Sequence, residues 1–219
     1  MPRLLFEKKG ESIWISHLDL MRVFQRAFKR AGLALTHTQG FNPRPSVSIA
    51  LPLSVGVSSN CELLDFDLDG CDVSLQEIRS RLNDALVAGI CVLDVYEQGR
   101  KIRDLSLLRC SVVMEYDKGV PADAIQKLSA LFEREEVIVP KKTKNGIQDQ
   151  NIIPMIRNVS FSADGEKAIN LEALICCQNP TLNPAQMVAA IDKYMPDMAP
   201  DFSTCTRLEI YDSREEVFR

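Results

Sequence analysis

Apolar residues in the first hundred positions recur at two different spacings. Leu4 and Phe6 lie on one face of a first strand over Pro2 to Lys8. Leu20, Phe24, Ala27, Phe28 and Ala31 then recur every three or four residues, as the buried stripe of a helix does. Ser16, with Asp19 three residues on, supplies the start of that helix, and Gly32 supplies the stop. Val47 to Leu51 and the alternating stretch Cys61 to Leu68 read as strands. Asp72 or Ser74 caps a second helix to about Val87, with Leu75, Ile78, Leu82 and Leu86 inward, and Ile90 to Tyr96 is a further strand. The order is strand, helix, strand, strand, helix, strand.

A polar break at Gln98-Gly99-Arg100-Lys101 precedes a second pass through the same order. Leu107 to Tyr116 is a strand, Pro121 opens a helix to about Phe132, and Glu136 to Pro140 is a short strand. Ile152 to Phe161 and Ala168 to Cys177 pair around the turn Ala163-Asp164-Gly165. Pro184 opens a helix to about Tyr194, and Cys205 to Tyr211 closes the chain as a strand. The stretch KKTKNGIQDQ, 141–150, reads as a polar loop whose Asn145-Gly146 is a turn signal. The halves share pattern rather than residues. The expected fold is α+β, with two ferredoxin-like βαββαβ units in tandem, antiparallel sheets and helices on one face. The first unit is expected over 1–98, and the second over 104–219 with an extra hairpin or strand.

Composition narrows the setting. At 46% hydrophobic and 26% charged, the 219 residues suit a soluble globular protein. No apolar run approaches the roughly 18–20 residues of a membrane span. The start, MPRLLFEKKGESIW, has only Leu4 to Phe6 before charges return, so no signal peptide is read. The seven cysteines form no C-x-x-C pair and no iron–sulfur spacing. They are expected to be free, mostly buried thiols in the cytoplasm, with neither metal nor cofactor held by this chain.

Charge adds the strongest functional signal. Residues 14–52 hold Arg22, Arg26, Lys29, Arg30 and Arg44 against a single carboxylate, Asp19. That segment carries +4 in a chain of −4, which leaves −8 elsewhere. Cations clustered in an acidic chain suit an anionic partner such as RNA, with arginine and lysine on its phosphates. The loop Gln39-Gly40-Phe41-Asn42-Pro43-Arg44-Pro45 sets an aromatic beside a guanidinium, a pairing that suits base stacking. It reads equally as a loop whose Phe41 plugs the core. His17, at the first helical turn, is the candidate catalytic base. Lys144 stands in a second polar cluster. Asp65, Asp67 and Asp69 alternate along one strand, as a metal site or, more simply, as a solvent-facing edge. No phosphate loop, H-E-x-x-H or G-x-S-x-G motif occurs.

Four segments, Phe6-Glu7-Lys8-Lys9-Gly10, Ile15 to Arg22, Gln39 to Pro45 and Ala50 to Gly56, together resemble the radical SAM-linked family, a bacterial domain of unknown function. Lys142-Thr143-Lys144-Asn145-Gly146, Asp149 and Ile153-Pro154 look like its later signatures, with Asn145 where a lysine is usual and no arginine before Pro154. The resemblance implies a radical SAM protein as partner, with the cluster-binding cysteines on that partner. At the level of fold alone, the chain is similar to the RAMP superfamily of tandem ferredoxin-like RNA-binding proteins, some of which cleave RNA with a histidine.

Three readings stay open. The chain is an accessory module holding RNA or another anionic substrate for a radical SAM protein. Phosphates would meet Arg22, Arg26, Lys29, Arg30 and Arg44, and Gln39, Phe41, Asn42 and Lys144 would complete the site. Alternatively it is a metal-independent ribonuclease or RNA-modifying enzyme using His17. In the third reading it is a protein-interaction module with no nucleic-acid role.

Overall fold

The computed structural model describes residues 1–70, 72–143 and 146–219. The chain divides into two compact units, Met1–Asp104 with Val217–Arg219, and Leu105–Glu216.

The first unit comprises β1 (Arg3–Lys8), α1 (His17–Arg30), β2 (Val47–Ile49), β3 (Ser58–Phe66), α2 (Leu75–Ala85) and β4 (Ile90–Tyr96). β1 lies antiparallel between β4 and β3, and β2 pairs with β3, which gives the ferredoxin-like order β4-β1-β3-β2. Leu4 sits opposite Leu64, and both lie with Phe6 and Phe66 on the strand face that packs against the helices' Leu20, Phe24, Phe28, Ile78 and Leu82. Phe6 and Phe24 stack edge to face at 4.7 Å, Phe28 and Phe66 lie 5.1 Å apart, and all four are fully buried. Each such burial contributes on the order of 2–3 kcal/mol. A short 3-10 turn, Gly10–Trp14, links β1 to α1.

Both ends of α1 follow from sequence. The Ser16 hydroxyl accepts from the Asp19 backbone N–H at 3.3 Å and donates to its carboxylate at 2.7 Å. Those bonds, the one to Ser16 first and then that from Arg22, hold the Asp19 carboxyl below its usual range. Gly32 takes φ +69, so its N–H reaches the Lys29 carbonyl while the Leu33 N–H reaches that of Phe28. Together these bonds form a Schellman stop with Leu33 buried behind it. Ser16→Ala is expected to cost about 1 kcal/mol, read as a lower urea midpoint.

The second unit comprises β5 (Leu105–Glu115), α3 (Ala124–Phe132), β6 (Ile138–Thr143), β7 (Gly146–Asn151), β8 (Ile156–Ala163), β9 (Ala168–Cys176), α4 (Pro184–Tyr194) and β10 (Phe202–Asp212). Its sheet runs β10-β5-β9-β8, again the ferredoxin-like order once β6 and β7 are set aside. α4 opens on a capping box between Asn183 and Gln186.

Three expectations need correction. The stretch 141–150 is not a loop: β6 and β7 form a hairpin, from Ile138 opposite Asn151 to Thr143 opposite Gly146. Gly146 to Asp149 of β7 are all exposed, so no apolar alternation marked it as a strand. Pro121 does not open α3, because Asp123 turns left-handed at φ +58 and the helix begins at Ala124. The chain's last three residues return to the first unit instead of ending the second. Fully buried Phe218 anchors them there, with the Arg3 and Arg100 guanidinium groups 5.7 and 5.1 Å from its ring centre. Among the described residues, no helix is long and apolar enough to cross a membrane.

Candidate nucleic-acid interface

α1 turns about 100° per residue, which places Arg22, Arg26 and Lys29 roughly opposite the Leu20, Phe24 and Phe28 stripe. All three side chains are exposed. Arg30 sits farther round, and its guanidinium donates to the Ala85 carbonyl at the end of α2, at 2.5 Å. Arg22 is paired with Asp19 at 2.7 Å, but both side chains are more than half exposed, so water screens the pair. Among the described residues, neither Arg26 nor Lys29 has a carboxylate partner. The structure therefore sorts the five cations of this segment. Arg26, Lys29 and exposed Arg44 are uncommitted, Arg22 is loosely paired, and Arg30 is engaged within the fold.

After the helix stop, the chain forms a narrow hairpin of irregular backbone. Its base is pinned by a bridge between Leu35 and Leu68, and by the Thr36 hydroxyl donating to Asp67 at 3.0 Å. Its neck is closed by a bridge between His37 and Pro45, and by the Thr38 N–H donating to the Arg44 carbonyl at 2.9 Å. The Arg44 N–H in turn donates to the Thr38 hydroxyl at 3.0 Å. Beyond the neck, Gln39, Gly40, Phe41, Asn42 and Pro43 are all exposed. Gly40 adopts φ +131, which favours glycine at the tip. Phe41 is fully solvent-exposed, so the alternative that it plugs the core is excluded.

Helix and hairpin enclose a pocket of about 320 Å³ lined by Gln25, Lys29, Leu33, Ala34, Leu35, His37 and Pro45. Leu33, Leu35 and Pro45 supply apolar walls, and Lys29, Gln25 and His37 supply polar ones. Gln25 was legible only as the residue one turn before Lys29, and Leu33 and Leu35 carried no sequence signal beyond hydrophobicity. His17 is not part of this arrangement. Half-buried, it falls on the core-ward side of the first turn, well round the helix from Arg22 and Lys29.

The other candidates fall elsewhere. Lys144 lies outside the described residues. Asp65 is no solvent-facing edge residue, because it takes both Nε and Nη2 of Arg3, at 2.6 and 3.0 Å. Asp67 accepts from Thr36. Among the described residues, no three metal-ligating side chains cluster.

The whole-chain fold has a counterpart in a chain of a Cbf5-Nop10-Gar1 complex crystal structure, at 8% identity and TM-score 0.55. That match covers 95% of this chain and 48% of the other, so this chain spans about half its length. The likeness is one of fold alone. An unknown protein from Galdieria sulphuraria is also similar, at 10% identity and TM-score 0.26, over 94% of this chain and 96% of that one. No curated protein matches. A family model matches residues 2–184, and the chain belongs to that family, described as an uncharacterized protein conserved in bacteria (DUF2344).

Proposed function

We propose that the first unit holds RNA along the outer face of α1 and the hairpin that follows it, as an accessory module for a radical SAM enzyme. The observation that carries this reading is the set of uncommitted cations, Arg26, Lys29 and Arg44, beside a protruding aromatic in a chain of net charge −4. Phosphates would meet the cations, and a base would stack on Phe41. Gln39 and Asn42, exposed on the same tip, offer hydrogen bonds to base edges. The radical SAM partner is supported by the resemblance of Ile15 to Arg22, Gln39 to Pro45 and Ala50 to Gly56. In that pairing the partner supplies the cluster and this chain supplies the grip.

Binding of a fluorescein-labelled RNA, measured against salt concentration, tests the reading. Wild type is expected to lose affinity steeply as salt rises, with a logarithmic slope of about −2 for three phosphates on a single strand. The variant Arg26→Ala/Lys29→Ala/Arg44→Ala should lose at least tenfold in affinity and most of that slope. Arg30→Ala should change little, since its guanidinium is spent on Ala85. Absence of RNA binding at low salt, or a triple variant that binds as wild type does, would sink the proposal.

A further inference from the structure

We infer that Trp14 is a second stacking platform, at the opposite end of α1 from the hairpin, and that the ligand of this face is single-stranded RNA, an inference that rests on the RNA reading above.

Trp14 is 66% exposed, and the neighbouring segments expose Leu18 at 68% and Val55 at 53%. A tryptophan that filled the core would be largely buried. This one is held at the surface by an elaborate support. The ammonium of Lys8, a residue only 1% exposed, donates to the carbonyls of Ile13 and Ile15, the residues on either side of Trp14, at 3.1 and 2.8 Å. The Gly56 N–H donates to the same Ile13 carbonyl at 2.9 Å. The indole lies against Gly56, where an added Cβ would stand 3.3 Å from its Cζ3 atom. The turn beneath is tied down by the Ser12 hydroxyl, within 2.7 and 2.9 Å of the Lys9 and Gly89 carbonyls. Burying an ammonium is costly, yet here it fixes the backbone that presents an exposed ring.

Position and charge select the occupant. Trp14 is three residues from the first residue of α1, and Phe41 stands on the hairpin beyond its last. The 14 residues between those ends span about 21 Å at about 1.5 Å each. Arg22, Arg26 and Lys29 lie along that span. Aromatics bracketing a cationic track are how sequence-tolerant single-strand sites are built, over about 4–16 nucleotides. A duplex hides the faces of all but its terminal base pairs, so along its length it offers these rings no base to stack on. Glu11, exposed on the same turn, does not oppose this, because stacking on Trp14 needs no charge there.

The chain has one tryptophan, so its intrinsic emission reports Trp14 alone. The full chain is titrated with a labelled single-stranded RNA of about 12 nucleotides, with the same sequence annealed to its complement, and with polyglutamate. Anisotropy of the label measures RNA binding and tryptophan emission measures stacking. Single-stranded RNA should quench the emission strongly, with the same midpoint as the anisotropy. Trp14→Ala should weaken that binding by about tenfold, and Trp14→Phe should keep most of it. Anisotropy that rises while emission stays constant and Trp14→Ala binds normally would overturn the stacking role and leave the RNA reading standing. Equal quenching by duplex would overturn the choice of single strand. Quenching by polyglutamate alone would assign the face to an acidic protein and overturn both. If no probe shifts either signal, the RNA reading itself fails, and the stacking role with it.

Discussion

Replacing Asp65 by alanine is expected to destabilise the protein by about 3–5 kcal/mol, the usual cost of leaving a buried charge without its partner. The Arg3 side chain is 3% exposed and makes a bidentate contact with Asp65 through Nε and Nη2. Among the described residues its Nη1 is buried with no partner, so the guanidinium lacks one hydrogen bond and depends on this carboxylate for its charge balance. The backbone of Gly99 presses on the same group: a Cβ there would stand 2.3 Å from the Arg3 Cζ. The ring of Phe218, 5.7 Å from the guanidinium carbon, offers a weaker attraction. Asp65→Asn should cost less than alanine, because an amide oxygen still accepts one bond. The double change Arg3→Leu/Asp65→Leu should recover much of the loss, because it removes both charges together. Urea denaturation followed by circular dichroism reads all three. An alanine variant within 1 kcal/mol of wild type would show that the guanidinium finds water or another partner.

The same pair marks the limit of what sequence reveals. Asp65, Asp67 and Asp69 alternate, and alternation alone suggests an edge facing water. The partner of Asp65 lies 62 residues away, because β1 pairs with β3 in the register that sets Arg3 opposite Asp65. Periodicity carries no information about such a register. Where the physics is local, the reading succeeds. The α1 stripe, its Ser16 cap and its Gly32 stop depend on spacings of three to five residues, and all appear in place. The cationic face follows from the same helical period. Its sorting into free and engaged cations does not, since Arg30 is spent on a carbonyl 55 residues on. The hairpin of β6 and β7 was hidden for another reason. Its turn signal is visible, but β7 is exposed from Gly146 to Asp149, and only a half-buried strand writes alternation into sequence.

Alkaline pH is expected to weaken the second unit steeply. Burial pushes the thiols of Cys110 and Cys177 up to about 12 and that of Cys205 up to about 11, from an ordinary value of 9.0. Cys205 further opposes the ionisation of Cys110, while the Arg207 guanidinium relieves all three thiols in part. Between those limits the unfolded chain has lost protons that the folded chain keeps, so stability falls as pH rises. Each thiol contributes about 1.4 kcal/mol per pH unit, and three give about 4 kcal/mol per unit between roughly pH 9.5 and 11. Tyr116, also raised by burial, adds in the same direction at the upper end. Lys8 in the first unit acts oppositely: burial lowers its pKa below 10.5, so its cost to folding is relieved as pH approaches that value. It exchanges a single proton and offsets at most a third of the thiol slope. The urea midpoint under reducing conditions should therefore drop sharply above pH 9.5, and Cys177→Ala should remove about a third of the slope whatever it does to the midpoint at neutral pH. A midpoint that stays level to pH 10.5, or a slope untouched by removing thiols, would mean that water reaches these groups in the folded state.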